Sequence, residues 1–315
     1  MRRALVVHSQ LLLVSAIWGG HFVALRVMLR ELAPSQVLAL RVGLAVAFYL
    51  AFLAYNRRRL PRVRRGDWVR LALVSVFGVV GASSGVIFAQ RYISAGVSSL
   101  LTTINPVFTA LLAWLILGQK LTRRQAAGVA LALAGFLIVL LLGGPGARFS
   151  VTNAVGVLLM ASSPLSWAVY TVLSKPLVGR YPSAYVAAYG TILGALCLLP
   201  LVTPTFLRAV AGLSPRGWGA ALFSGVLAMA VSYLFWYRGL RVLQPTQVAV
   251  YIYLVPVFGV IFAALLLGER LTPFAILGGA TILAGVIVTN TGSRRPLADD
   301  PPLAPAERPV ELARR

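Results

Sequence analysis

Polar positions in this chain are confined to short intervals between long apolar runs. Ten runs, over residues 8–29, 34–55, 69–90, 95–117, 124–142, 153–174, 184–203, 217–237, 246–267 and 274–292, predict ten helices. Each has close to the roughly 20 residues that a helix needs to cross the hydrocarbon core of a bilayer. A backbone in lipid must satisfy its own hydrogen bonds, so the fold class expected is an all-α integral membrane protein. The first run follows Met1-Arg2-Arg3 as a signal peptide would, but it continues through Trp18 and Phe22 to Leu29 without a small-x-small cleavage site. It is therefore read as the first span. Residues 294–315 are rich in Pro, Asp, Glu and Arg, lack periodicity and predict a disordered tail.

One segment recurs. Residues 106–139 and 256–289 align at an offset of 150 with 14 of 34 positions identical. The matched pairs include Pro106/Pro256, Gly118/Gly268, Thr122/Thr272, Gly128/Gly278 and Gly135/Gly285. Weaker echoes pair Trp18 with Trp167, and Ala33-Pro34-Ser35 with Tyr181-Pro182-Ser183. The chain thus divides into a first repeat at 1–150, a second at 151–293 and the tail. Five helices per repeat is an odd number, so the second copy enters the membrane from the opposite side. The expected architecture is ten transmembrane helices as two inverted five-helix repeats around a central cavity. Local signals agree. Gly118 and Gly268 suit helix ends, Thr122 and Thr272 suit N-caps, and Gly81/Gly85 with Gly190/Gly194 give small-xxx-small faces.

Composition strengthens the membrane reading, because 59% of residues are hydrophobic and 11% charged. The single cysteine, Cys197, excludes an internal disulfide and multi-Cys metal sites. Net charge is +22. Its distribution points to anionic lipid as the partner rather than nucleic acid, because the arginines lie between spans. The N-terminus, the tail and the even-numbered connections carry 21 Lys and Arg, and the odd-numbered connections carry 7. That bias places both termini in the cytoplasm, with the chain multi-pass in a bacterial cytoplasmic (inner) membrane.

Three features resemble a known family: an early Trp-Gly followed by Phe (Trp18-Gly19, Phe22), Arg41 in the second run, and paired Leu-Gly-[Glu/Gln]-[Arg/Lys]-Leu-Thr hairpins at 117–122 and 267–272. The pattern resembles the EamA family of the drug/metabolite transporter superfamily and covers nearly the whole chain except the tail. The resemblance implies ten helices in inverted repeats, a cavity lined by helices 1, 3, 4, 6, 8 and 9, and export of small metabolites such as amino acids. His21 departs from the pattern, since relatives more usually carry a small polar residue there.

Polar residues inside spans are costly and mark cavities or helix contacts. Ser98, Thr102, Asn105 and Thr109 share one helix face, and so do Ser163, Trp167, Tyr170 and Ser174. With Trp18, His21, Arg41, Ser83, Tyr233, Trp236 and Tyr251, they supply the candidate substrate-binding set: Trp18, His21, Arg41, Ser83, Thr102, Asn105, Ser163, Trp167, Tyr170, Tyr233, Trp236 and Tyr251. For the small polar residues the alternative is interhelical hydrogen bonding. Arg41 suits an anionic substrate group or a snorkelling position, and His21 suits a proton carrier or a structural hydrogen bond. Pro106, Pro164 and Pro256 lie within spans and are candidate helix breaks or hinges. Glu269 ends the ninth span beside Arg270, where a cap or ion pair is expected, and its repeat mate is the neutral Gln119.

No acidic residue lies in the middle of a span, which argues against a buried carboxylate relay for protons. Catalysis is not expected. The string Gly81-Ala82-Ser83-Ser84-Gly85 matches a hydrolase elbow, but it falls mid-helix rather than at a strand–turn–helix junction. The sequence holds no glycine-rich phosphate loop and no His-Glu-x-x-His, so no cofactor or metal is expected. The function expected is a secondary transporter of a small-molecule substrate working by alternating access. A gated channel or facilitator and a receptor or scaffold without transport are the alternatives.

Overall fold

The computed structural model describes residues 2–56, 61–105, 107–108, 111–112, 122–142, 150–236 and 250–291. Those residues form helices joined by short turns, and none of them forms a strand. The helices are α1 (Arg2–Met28), α2 (Pro34–Tyr55), α3 (Asp67–Ala89), α4 (Ala95–Ile104), α5 (Arg123–Leu142), α6 (Val151–Arg180), α7 (Ser183–Leu196), α8 (Pro204–Ala211), α9 (Pro215–Trp236), α10 (Val255–Leu267) and α11 (Pro273–Thr291). Six of them (α1, α2, α3, α5, α6 and α9) are long and apolar enough to cross a membrane, and α4, α7, α10 and α11 contribute shorter apolar stretches. Large apolar side chains face outward on many of them, among them Leu50, Leu137, Leu158, Leu265 and Ile276. In a bilayer such a surface meets lipid rather than water.

Helix ends follow local chemistry. Ser94, Ser150, Thr203 and Ser214 each accept a backbone N–H three residues on. Thr122 and Gln125 form a reciprocal box, and Thr272 accepts from the Ala275 N–H at 3.1 Å. Gly268 ends α10 at φ 67°, where a side chain would be strained. Two boundaries differ from the sequence expectation. The seventh run stops at Leu196 because Pro200 follows, giving a short 3₁₀ turn at Leu199–Leu201. The short helix α8 was not expected, although Thr203-Pro204 is a cap followed by an N1 proline.

The helices also carry irregular turns at repeat-related places. Val76–Gly81 of α3 and Phe223–Val231 of α9 are π-helical, and residues 76–81 plus 150 fall inside the second segment. A 3₁₀ turn at Thr102–Ile104 precedes Pro106, and another at Val250–Leu254 precedes Pro256. Pro256 therefore sits in the first turn of α10, where a missing N–H costs nothing. At Pro164 the expected break is not found, since α6 runs through both Pro164 and Pro176. The proline nitrogen removes the helical donor to the Met160 carbonyl, and separately Asn105 Nδ2 donates to the Pro164 carbonyl at 3.1 Å. Pro106, the hairpin at Gly118–Leu121, Thr109 and the tail lie outside the described residues.

Glycines set the closest packing. A methyl group on Gly85 would lie 2.5 Å from Ser162 Oγ, and one on Gly81 2.8 Å from Ser166 Oγ, so α3 and α6 meet on the small face noted in the sequence. Between α5 and α11 the backbones touch. A methyl on Gly135 would lie 2.6 Å from the Gly278 carbonyl oxygen, and one on Gly285 2.6 Å from that of Gly128. The contact is antiparallel and reciprocal: position 135 meets the mate of 128, and position 128 meets the mate of 135.

Candidate functional site

Between α1, α2, α3, α4, α6, α9 and the turn before α10 lies a cavity of about 130 Å³. Of the twelve residues expected from sequence, Trp18, His21, Arg41, Ser83, Thr102, Asn105, Ser163, Trp167 and Tyr233 line it, as does Pro164. The rest of its wall is small or apolar, including Phe22, Gly78, Val86, Met160 and Ile252.

The polar corner is built around Arg41. The side chain is 6% exposed and comes from α2, with Nη1 donating to Ser83 Oγ at 3.2 Å and Nε directed at the Ser224 carbonyl at 3.5 Å. Insertion of an arginine at the centre of a membrane helix costs about 2.5–3.5 kcal/mol. These two contacts and the cavity edge account for its tolerance here, and they exclude snorkelling to an interface. Ser224 Oγ also lies 3.2 Å from His21 Nδ1, so one serine links the two basic side chains. Sequence reasoning missed Ser224. The available signal was a hydroxyl two turns before Ser232 in an otherwise apolar run.

The opposite wall is aromatic. Trp18 meets Trp167 edge-on at 6.0 Å between centroids, Tyr233 at 6.1 Å and Trp236 at 5.1 Å, and Trp167 meets Tyr233 at 5.5 Å. Trp18 is held by its Nε1–H, which donates to the Ala228 carbonyl at 3.0 Å. That carbonyl belongs to the π-helical part of α9. A π turn shifts the backbone ladder to i→i−5, as in the Ser232 N–H to Leu227 O bond, and side chains add to its carbonyls. Tyr49 Oη reaches Ala230 O at 3.2 Å, and Ser232 Oγ reaches Leu227 O at 2.8 Å. Two further hydroxyls or amides serve helix contacts while edging the cavity. Ser163 Oγ donates to Ala82 O at 2.7 Å, and Asn105 bonds Pro164.

Three expected residues stand off this cavity. Tyr170 packs 5.2 Å from Trp167 and bounds a smaller neighbouring cavity of about 20 Å³ with Gly78, Thr191 and Tyr233. Trp236 supports Trp18 from behind. Tyr251 is elsewhere, its hydroxyl 2.6 Å from His8 Nδ1 and its carbonyl accepting from Ser15 Oγ at 2.7 Å. Among the described residues no cluster of His, Cys, Asp or Glu has a geometry for a metal.

The described carboxylates are engaged at helix ends. Glu269 accepts the Ala95 and Gly96 N–H groups at 3.1 and 3.0 Å, so the expected cap is present at the start of α4. Glu31 accepts from the Ser214 N–H and hydroxyl at 2.8 and 2.7 Å. These two bonds hold its carboxyl below the usual range. Asp67 pairs with Arg180 and accepts from Tyr181 Oη, both at 2.8 Å.

Comparison with known proteins places this arrangement. Residues 7–141 and 154–291 each match the EamA-like transporter family. An "uncharacterized transporter" of Archaeoglobus fulgidus is 31% identical over 283 residues, 90% of this chain and 96% of that protein. A "probable terminal-alkyne amino-acid exporter" of Streptantibioticus cattleyicolor is 32% identical over 294 residues, 92% and 96% of the two chains. A "probable amino-acid metabolite efflux pump" of Escherichia coli is 26% identical over 298 residues, 90% and 94%. One crystal structure, 21% identical, superposes with a TM-score of 0.60 over 94% of this chain and 99% of that one, which shows a shared fold. With its apolar spans and its two matched segments, this chain is a multi-pass membrane protein that belongs to the EamA-like transporter family.

Proposed function

We propose that the protein exports small metabolites of the amino-acid class across a bacterial cytoplasmic membrane by alternating access, with both termini in the cytoplasm. In this reading, residues 1–150 and 151–293 are inverted five-helix repeats that rock about the central cavity and expose it to each side in turn. The cavity carries the proposal. Its wall takes Trp18, His21, Arg41, Ser83, Thr102 and Asn105 from the first matched segment, and Ser163, Trp167 and Tyr233 from the second. A site shared by both halves changes its exposure when they move relative to each other. Antiparallel, reciprocal packing of α5 on α11 supports the inversion. The relatives named as amino-acid exporters support the substrate class.

Arg41 is placed to bind a carboxylate, and Trp18, Trp167 and Tyr233 to bind an apolar or aromatic body. The test is a thermal-shift screen of amino acids on purified protein, where a ligand preferring the folded carrier raises Tm by mass action. Hits are then assayed in liposomes for saturable flux with counterflow. Flux without saturation or counterflow identifies a channel instead. Loss of transport on collapse of the pH gradient, abolished by His21→Ala, assigns a proton to His21; gradient dependence that survives the substitution removes it from that role.

A further inference from the structure

The charges around the cavity bear on the substrate's own charge, a question that rests on the carrier reading above. Arg41 is the one formally charged side chain among the described residues of the cavity wall, and it donates there to a serine hydroxyl and a carbonyl rather than to a carboxylate. Glu31, Asp67 and Glu269 are the described carboxylates, and each is bonded at a helix end, at Ser214, at Arg180 with Tyr181, and at Ala95 with Gly96. The other four acidic residues of the sequence, Asp299, Asp300, Glu307 and Glu311, belong to the tail after α11. Among the described residues, then, nothing anionic meets a substrate ammonium, and no carboxylate accompanies the substrate across. A buried guanidinium is compensated by an anion, and bidentate hydrogen bonds to a carboxylate are its best-matched partner. A zwitterion brings a second cation into the same low-dielectric space, where only neutral groups meet it: the oxygens of Ser83, Thr102, Asn105 and Ser163 and the aromatic faces.

We propose that the carrier moves its substrate as a net monoanion, a carboxylate bound at Arg41 with no charged amine, and that the membrane potential alone drives export. Each turnover carries one negative charge outward. An interior-negative potential pushes that charge in the direction of export, so the protein needs no coupled proton or sodium ion. Preferred substrates are N-acylated members of the amino-acid class with an apolar or aromatic body.

The matched probes are N-acetylphenylalanine and phenylalanine, which share a carboxylate and a ring and differ in the ammonium. Liposomes holding wild-type protein and either radiolabelled probe at equal concentration inside and out are given valinomycin and a hundredfold potassium gradient, high inside. A monoanion uniporter redistributes N-acetylphenylalanine toward a hundredfold excess outside, mirroring the potassium ratio. Phenylalanine moves more slowly and reaches no gradient. Arg41→Lys keeps the potential response with a raised KM, because charge is kept and the fork is lost. Saturable phenylalanine flux indifferent to potential leaves the carrier reading standing and overturns the anion proposal. N-acetylphenylalanine accumulation that follows a pH gradient and ignores potassium means that a proton travels with the anion, and also overturns it. If neither probe moves, the carrier reading for this class of substrate fails together with the proposal.

Discussion

Single side chains in this protein do two kinds of work, and the carboxylates show the first. Glu31 holds the start of α9 by accepting both donors of Ser214. Folding lowers its pKa, so the contact stabilises the fold above the ordinary Glu value near about 4.3. Its contribution disappears as pH falls through the lower folded-state value. Thermal unfolding between pH 3 and 6 should lose part of its pH dependence in Glu31→Gln, and an unchanged profile would remove Glu31 from that role. Trp18 shows the second kind, with a ring on the cavity and an N–H on Ala228. Trp18→Phe keeps most of the ring and leaves a π-turn carbonyl without its donor. It should cost about 1–3 kcal/mol of stability while transport persists. Trp18→Ala should in addition raise KM, measured as flux against substrate concentration. Arg41, His21, Trp18 and Trp167 were legible from sequence because a polar or large amphipathic residue deep in an apolar run needs a reason. Ser224 was not, since a lone serine in a span satisfies itself on its own helix as easily as it bridges two others.

At the scale of elements, apolar run length and turn chemistry carried most of the helix positions, and prolines refined the ends. What sequence could not supply was helix character. Pro164 reads as a break and lies in a continuous helix, where one missing N–H is tolerated. The π segments of α3 and α9 contain no proline and gave no signal at all. In α9 that segment is where Trp18 and Tyr49 from other helices, and Ser232 of the same helix, bond backbone carbonyls. Of the glycine faces read from sequence, Gly81/Gly85 packs on α6 and Gly194 packs on Val79, whereas the contact of Gly135 with Gly278 was visible there only as matched repeat positions. A leucine at Gly135 meets the Gly278 and Ile282 backbone and should cost about 1–3 kcal/mol by overpacking. Gly135→Ala and Gly278→Ala press on the same point, so their double mutant should cost less than the two singles added. A coupling of about 0.5–3 kcal/mol in chemical denaturation is expected, and strict additivity would mean that the helices separate elsewhere.

Across the whole molecule, three polar ties give an independent reading of which connections share a side. Glu31 joins the α1–α2 turn to the start of α9, and Glu269 joins the α10–α11 connection to the start of α4. Asp67 joins the start of α3 to the end of α6. The Lys and Arg count assigns the first four of these connections to the outside and the last two to the cytoplasm, and no tie crosses between the groups. A reporter active only in the cytoplasm, fused after residue 315, should therefore be active; silence would reverse the orientation. The glycine contact of α5 with α11 bears on how such a chain is assembled. A surface on which one position meets the counterpart of a second, and the second meets the counterpart of the first, is self-complementary, the hallmark of a twofold dimer interface. Two separate polypeptides, one ending and one beginning within residues 143–149, already possess the surface needed to find each other. Co-expressed halves should co-purify and restore flux, and Gly135→Leu in the first half alone should prevent it. Covalent continuity between the halves would then be a convenience of synthesis and stoichiometry, with recognition between them written into four glycines.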